Sequence, residues 1–349
     1  MAIIDKPSDY FNTKLYTGTG STLAISGLNF QPDLTWIKGR SVAYSHILHD
    51  SVRTATKELK SNSTGAEGTD ANGLTSFNSD GFSLGTGGAV NNNTTTYASW
   101  NWKAGTSFTN DASGTGIGSI DSSGSVNTDA GFSIISYTGT GSAATVAHGL
   151  GSAPRMIIIK DRSNTRNWGV YHQSMGNTFA IYLDLTNEKG GNNSGFWNST
   201  SPTSSVFSIN TRNEVNASSA NMIAYCFAEK QGYSKFGSYV GNGNADGTFI
   251  YTGFKPAFFL GKRTNSTGEW FLLDNRRSNS FNPQDRILEP NSSSADISGA
   301  SYKYDFVSNG IKIRTTSGAY GNGSGDTFIY MAFAEQPFVT SSGVPATAR

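Results

Sequence analysis

Four histidines, one cysteine and a thin scatter of carboxylates are the groups with which this chain could do chemistry, and their spacing decides how much. A metal site needs clustered His, Cys or carboxylate ligands. His46 and His49 stand three apart on an extended stretch and so point to opposite faces, His148 lies in a turn, and His172 is distant in sequence. No metal and no cofactor is expected. A hydrolase of the nucleophile-elbow type needs Gly-x-Ser-x-Gly between a strand and a helix, and Gly114-Thr-Gly-Ile-Gly118 has no serine at its centre. The glycine strings beginning at Tyr16 and Tyr137 lack the Gly-Lys-Ser/Thr ending of a phosphate loop and read as turns. Cys226 sits in the apolar run Met222-Ile-Ala-Tyr-Cys-Phe227 and reads as a buried small hydrophobe; alone, it excludes an intramolecular disulfide.

Paired carboxylates are the remaining route to an enzyme, through glycoside hydrolysis. Glu229 and Glu335 occupy equivalent places in a repeat described below, which favours a cap or a salt bridge. Asp50 with Arg53, and Asp274 with Arg277, are three apart, but the matching third position is His172. A catalytic acid or base tolerates no such exchange, so these are read as structural pairs, exposed or half-buried, at strand ends. No catalytic residue is assigned.

A binding role has one candidate. Five of the six tryptophans (Trp36, Trp100, Trp102, Trp168 and Trp270) fall in repeated apolar strands, whereas Trp197 stands in the polar stretch Asn192-Asn-Ser-Gly-Phe-Trp-Asn-Ser199. An indole there, beside Phe196, could stack on a sugar ring while Asn192, Asn193 and Asn198 bond its hydroxyls. The alternative is that Phe196 and Trp197 fold back as a lid over a core.

The elements that must position these residues come three times over. Pro32-Asp-Leu-Thr-Trp-Ile-Lys38, Pro154-Arg-Met-Ile-Ile-Ile-Lys160 and Pro256-Ala-Phe-Phe-Leu-Gly-Lys262 each read as a buried strand led by proline, which needs no ladder hydrogen bond there, and ended by a lysine returning to solvent. A second apolar strand follows in each copy, then a low-complexity Asn/Ser/Gly loop, then a strand of period two, and finally an aromatic closing strand, Tyr97-Ala-Ser-Trp-Asn-Trp102, Met222-Ile-Ala-Tyr-Cys-Phe227 or Phe328-Ile-Tyr-Met-Ala-Phe333. The span from proline to last aromatic is 102 − 32 = 70, 227 − 154 = 73 and 333 − 256 = 77, which only an internal repeat explains economically.

Composition agrees. With 15% charged residues, 12% aromatic and 41 glycines in 349 residues, the chain suits short strands and tight polar turns. The reading is all-β: three tandem antiparallel β-sandwich repeats of jelly-roll or lectin-like type, over 11–115, 116–232 and 233–339, between an N-terminal arm (1–10) and a C-terminal tail (340–349). Residues 103–130 are the longest candidate linker. A net charge of +1 argues against nucleic acid as the partner, and neither a signal-peptide core nor an 18-residue apolar run is seen.

Several of these strings together resemble a known family. Ser8-Asp-Tyr-Phe-Asn-Thr13, the two Tyr-Thr-Gly-Thr-Gly-Ser turns, Gln31-Pro-Asp-Leu-Thr-Trp-Ile-Lys38, Gly232-Tyr-Ser-Lys-Phe-Gly-Ser-Tyr239 and Tyr330-Met-Ala-Phe-Ala-Glu335 are similar to the triple-repeat structural and tail-fibre-like virion proteins of marine bacteriophages, over essentially the whole chain. The resemblance implies a place on the particle surface and carries no catalytic signature. The expectations are therefore a virion protein of the tail or tail fibre, made in the host cytoplasm, contacting other virion proteins and a host glycan, and assembling as a homo-oligomer, foremost a trimer. A capsid decoration or cement protein is the alternative, and a polysaccharide-trimming enzyme stands last.

Overall fold

The computed structural model describes residues 3–191, 193–278 and 281–345. The first third holds β1 (Phe11–Thr17), β2 (Leu23–Ser26), β3 (Leu34–Gly39), β4 (Ile47–Asp50), β5 (Lys57–Lys60), β6 (Gly68–Thr69), β7 (Leu74–Asn78), β8 (Gly81–Leu84) and β9 (Thr96–Trp102). A hairpin of β10 (Thr106–Asn110) and β11 (Ser122–Asn127) precedes β12 (Phe132–Thr138), β13 (Ala144–Ala147), β14 (Met156–Asp161), β15 (Gly169–His172), β16 (Ile181–Tyr182), β17 (Val206–Ile209) and β18 (Asn221–Phe227). The last third holds β19 (Ser234–Val240), β20 (Phe249–Tyr251), β21 (Phe254–Arg263), β22 (Trp270–Asp274), β23 (Arg286–Ile287), β24 (Ile297–Ser298), β25 (Tyr304–Val307), β26 (Gly310–Ile313) and β27 (Thr327–Pro337). The chain is all-β, and among the described residues the ladders between these strands are antiparallel, with one isolated parallel bridge between Ile120 and Val146.

The same sheet order recurs: β1-β9-β3-β4, β12-β18-β14-β15 and β19-β27-β21-β22, so in every copy the closing strand lies between the opening strand and the proline-led one. Beside each main sheet is a smaller one, β2-β8-β7, β13-β17 or β20-β26-β25. Register preserves the columns: Trp36 faces Trp100, Ile158 faces Tyr225, and Leu260 faces Met331.

Pleating sends alternate residues of each main sheet into two different cores. Ile37, Ile159 and Phe259 pack outward against the small sheets, in three separate clusters. Trp36, Ile158 and Leu260 point the other way, and all three enter one cluster shared by the whole chain. The proline-led strands therefore have no polar face, which is why they read as continuous apolar runs rather than alternating ones. At the centre, the last aromatics of the closing strands form a triangle: Trp102 to Phe227 is 6.3 Å, Trp102 to Phe333 5.7 Å and Phe227 to Phe333 6.0 Å between ring centroids. Three equivalent positions in pairwise contact define a pseudo-threefold axis.

Three expectations are corrected here. Lys38, Lys160 and Lys262 do not return to solvent; each is wholly buried. Residues 3–10 are no free arm: Ile4 N donates to Gln231 O at 3.2 Å, Pro7 is buried in a short 3-10 turn, and Tyr10 packs edge-on against Tyr233. Within 103–130, β10 and β11 are not a linker but extra strands added to the edge of β12. Pro256 differs from its counterparts in lying inside β21, at a bulge in the ladder with β27.

Candidate functional site

The proposed sugar platform is closed. Trp197 is 1% exposed, Phe196 is buried beside it, and the indole Nε1 donates to Phe179 O at 2.9 Å within the second unit's own core. A ring with both faces covered cannot stack on a ligand, so the lid alternative is the one realised. Asn193 caps the turn of Ser194–Trp197 by accepting from Gly195 N, while Asn198 is exposed and bonded to Asn210; Asn192 lies outside the described residues.

His172 and several of the acids that might have done chemistry are instead drawn into the joints between the three units. Each buried lysine crosses to a loop of a neighbouring unit. Lys38 Nζ donates to Ser293 O at 3.1 Å, Lys160 Nζ to Thr64 O at 3.1 Å, and Lys262 Nζ to Thr186 O at 3.1 Å, each also bonding carbonyls of its own turn. First holds third, second holds first and third holds second, which closes a ring. Burial lowers all three ammonium pKa values from 10.5 to about 8.

A second ring of contacts runs through the closing strands. Trp100 Nε1 donates to Asp274 Oδ2 of the third unit at 3.0 Å, and the Tyr225 hydroxyl donates to Asp50 Oδ2 of the first at 2.7 Å. Both carboxylates are also held by their own arginine, Arg277 Nε at 2.6 Å and Arg53 Nε at 2.5 Å, all four groups being buried. Burial opposes the charge of Asp274, yet the Arg277 guanidinium keeps its carboxyl below the usual range. Outside each pair sits another acid and the neighbouring unit's arginine: Asp296 accepts from Arg277 and Arg40, and Glu67 from Arg53 and Arg162.

At the third joint the closing strand offers Met331, which has no proton to donate. The facing residue is His172, whose Nε2 donates to the Tyr330 carbonyl at 3.0 Å while Nδ1 accepts from Ser174 N. With no buried carboxylate there is nothing for an arginine to neutralise, and Met175 occupies its place. The exchange of aspartate for histidine is thus explained by what stands opposite. The pairs are structural, as read from sequence, but fully buried rather than exposed or half-buried.

Burial also lowers His49, His148 and His172 to about 4, so all three are neutral in the native chain at pH 7. Glu229 and Glu335 are ion-paired, to Lys235 and Lys255 at 2.8 Å each. Among the described residues no three His, Cys, Asp or Glu side chains gather as metal ligands, and no helix is long and apolar enough to cross a membrane. A cleft of about 480 Å³ opens beside Ile3 and Val339, lined by Arg155, Glu229, Lys235, Tyr251 and Phe338.

One set of repeated structural positions is not apparent from the motifs above. Asn91, Asn216 and Asn322 are buried, and each accepts from the turn of the repeated glycine string (Thr19 N 2.8 Å, Thr140 N 2.7 Å, Asn242 N 3.0 Å) while its amide donates to two carbonyls. The signal was present: 97 − 91 = 222 − 216 = 328 − 322 = 6 residues before the closing strand's first aligned residue. A family model described as "Domain of unknown function (DUF7483)" matches residues 6–337. No curated protein matches the chain.

Proposed function

The chain belongs to the family of that domain, and from this premise we propose that it is a structural protein of the bacteriophage particle surface, seated on the tail or tail fibre and built of three tandem two-layer β-sandwich units. One observation carries the reading: three copies of a unit are bolted into a ring by buried lysines and acid–arginine pairs, around a shared core. That construction suits a part that holds its shape on a particle, since the buried lysines and acid–arginine pairs of the joints find their partners within the chain rather than in a substrate. Its work is binding and holding, not turnover, and a contact with host glycan falls to surface loops outside the joints rather than to Trp197.

Antibody labelling of intact particles in negative stain tests the proposal. Label along the tail or fibres is expected; label confined to the head assigns the capsid-cement role instead, and unlabelled particles refute both. Light scattering of the pure chain tests the oligomeric part, a trimer being expected and a monomer at micromolar concentration overturning it.

A further inference from the structure

The second unit shows how the side of such a unit is covered, and the third unit leaves the same side bare. In the second unit, β10 and β11 extend the main sheet beyond β12, and residues 119–122 run along the free edge of β13. There Ser119 N donates to Thr145 O at 2.9 Å and Ser122 Oγ to Ala147 O at 3.0 Å. Phe108 and Ile120 pack on that unit's core, with Val126 buried in it.

In the third unit the matching edges are β19 and β20, which pair only with β27 and β26. Because Ile313 N bonds Thr248 O and Thr252 N bonds Asn309 O, the N–H and C=O groups of Phe249 and Tyr251 must face away from β26, toward solvent. They are the counterparts of Thr145 and Ala147. Among the described residues nothing bonds to them, and the side chains are bare too: Phe249 is 44% exposed, Tyr251 58%, and Val240 at the end of β19 54%. The corresponding edge of the first unit carries Ala24 and Ser26 instead, so the apolar edge is peculiar to the third.

We infer that the open side of the third unit is a seat for a β-hairpin of a partner protein, which adds to β19 as β11 adds to β12 and lays its connecting loop along β20 as residues 119–122 lie along β13, where Ile120 and Val146 form a single parallel bridge. The occupant presents apolar residues at alternate positions to Val240, Phe249 and Tyr251. It also carries an acidic side chain, because the cleft at the Tyr251 end sets Arg155 and Lys235 against one carboxylate, Glu229. A second copy pairing β20 to β20 is a poor occupant: a three-residue strand offers two outward residues, far short of the roughly 1,200 Å² that a stable dimer buries. This inference stands apart from the virion reading and does not depend on it.

The probe is a synthetic peptide of this chain's own residues 106–127, the hairpin that covers the second unit, whose charged residues are Asp111 and Asp121 alone. Titrated into the ¹⁵N-labelled full chain, it is expected to shift the amides of Ser238, Val240, Phe249 and Tyr251 saturably. Phe249→Asp with Tyr251→Asp should abolish those shifts while leaving the rest of the spectrum in place, and Lys235→Glu should weaken binding several-fold. Failure to saturate at millimolar peptide, or shifts confined to another surface, overturns the seat. A wild-type dimer in light scattering that the double variant dissociates would hand the edge to a second copy and overturn the partner.

Discussion

At the scale of single residues, side chains that look like chemistry are used as fasteners. Asn216 illustrates the cost of losing one, since Asn216→Ala strips the Thr140 N–H and two carbonyls of their partner at a buried site. A loss of about 1–3 kcal/mol is expected in denaturant unfolding, with equivalent losses for Asn91→Ala and Asn322→Ala. Trp197→Ala removes a buried indole and should cost about 3–5 kcal/mol, without any specific effect on particle adsorption once folding is allowed for. A normally stable variant with impaired adsorption would restore the sugar platform.

At the scale of elements, the joints respond to charge and to pH. Asp50→Ala leaves Arg53 buried with its nearest anion gone and should destabilise by about 3–5 kcal/mol. Transplanting the third joint's set, with Tyr225→Met, Asp50→His and Arg53→Met together, should cost less than Asp50→Ala alone, because no lone charge remains. Thermal unfolding of the two variants decides it. Titration follows from the direction of the shifts. The joint lysines hold protons less tightly folded (about 8) than unfolded (10.5), so between those values the unfolded chain binds more protons and stability rises with pH. His49, His148 and His172, near 4 when folded against 6.5, confer stability that is lost as pH falls from 6.5 toward 4. Melting temperatures from pH 4 to 10 should climb through both windows, and Lys160→Met should reduce the alkaline climb.

At the scale of the whole molecule, the shared core predicts one cooperative transition. Trp36→Ala, Ile158→Ala and Leu260→Ala should each cost about 2–5 kcal/mol and lower protection from hydrogen exchange in all three units together. Three independent sandwiches would instead confine each change to its own unit. Protection lost in a single unit would restore separate domains and make the central aromatic triangle incidental.

Sequence alone determined the repeated strands and their columns, though not the added strands β10 and β11, because period, apolar content and turn glycines are local properties that a chain displays along its length. It also marked the Asp–Arg pairs as structural, since one copy lacked them. It could not say what lay beyond the ends of those strands. The lysines ending the proline-led strands look like surface charges until another unit's carbonyls are brought to them, and Trp197 looks free until the turn of Ser194–Trp197 folds it inward. Only tertiary structure decided that the second faces of three sheets meet on one axis. Burial is a relation between segments more than a hundred residues apart, and a strand whose two faces enter two different cores has the same apolar spelling as one buried in a single domain.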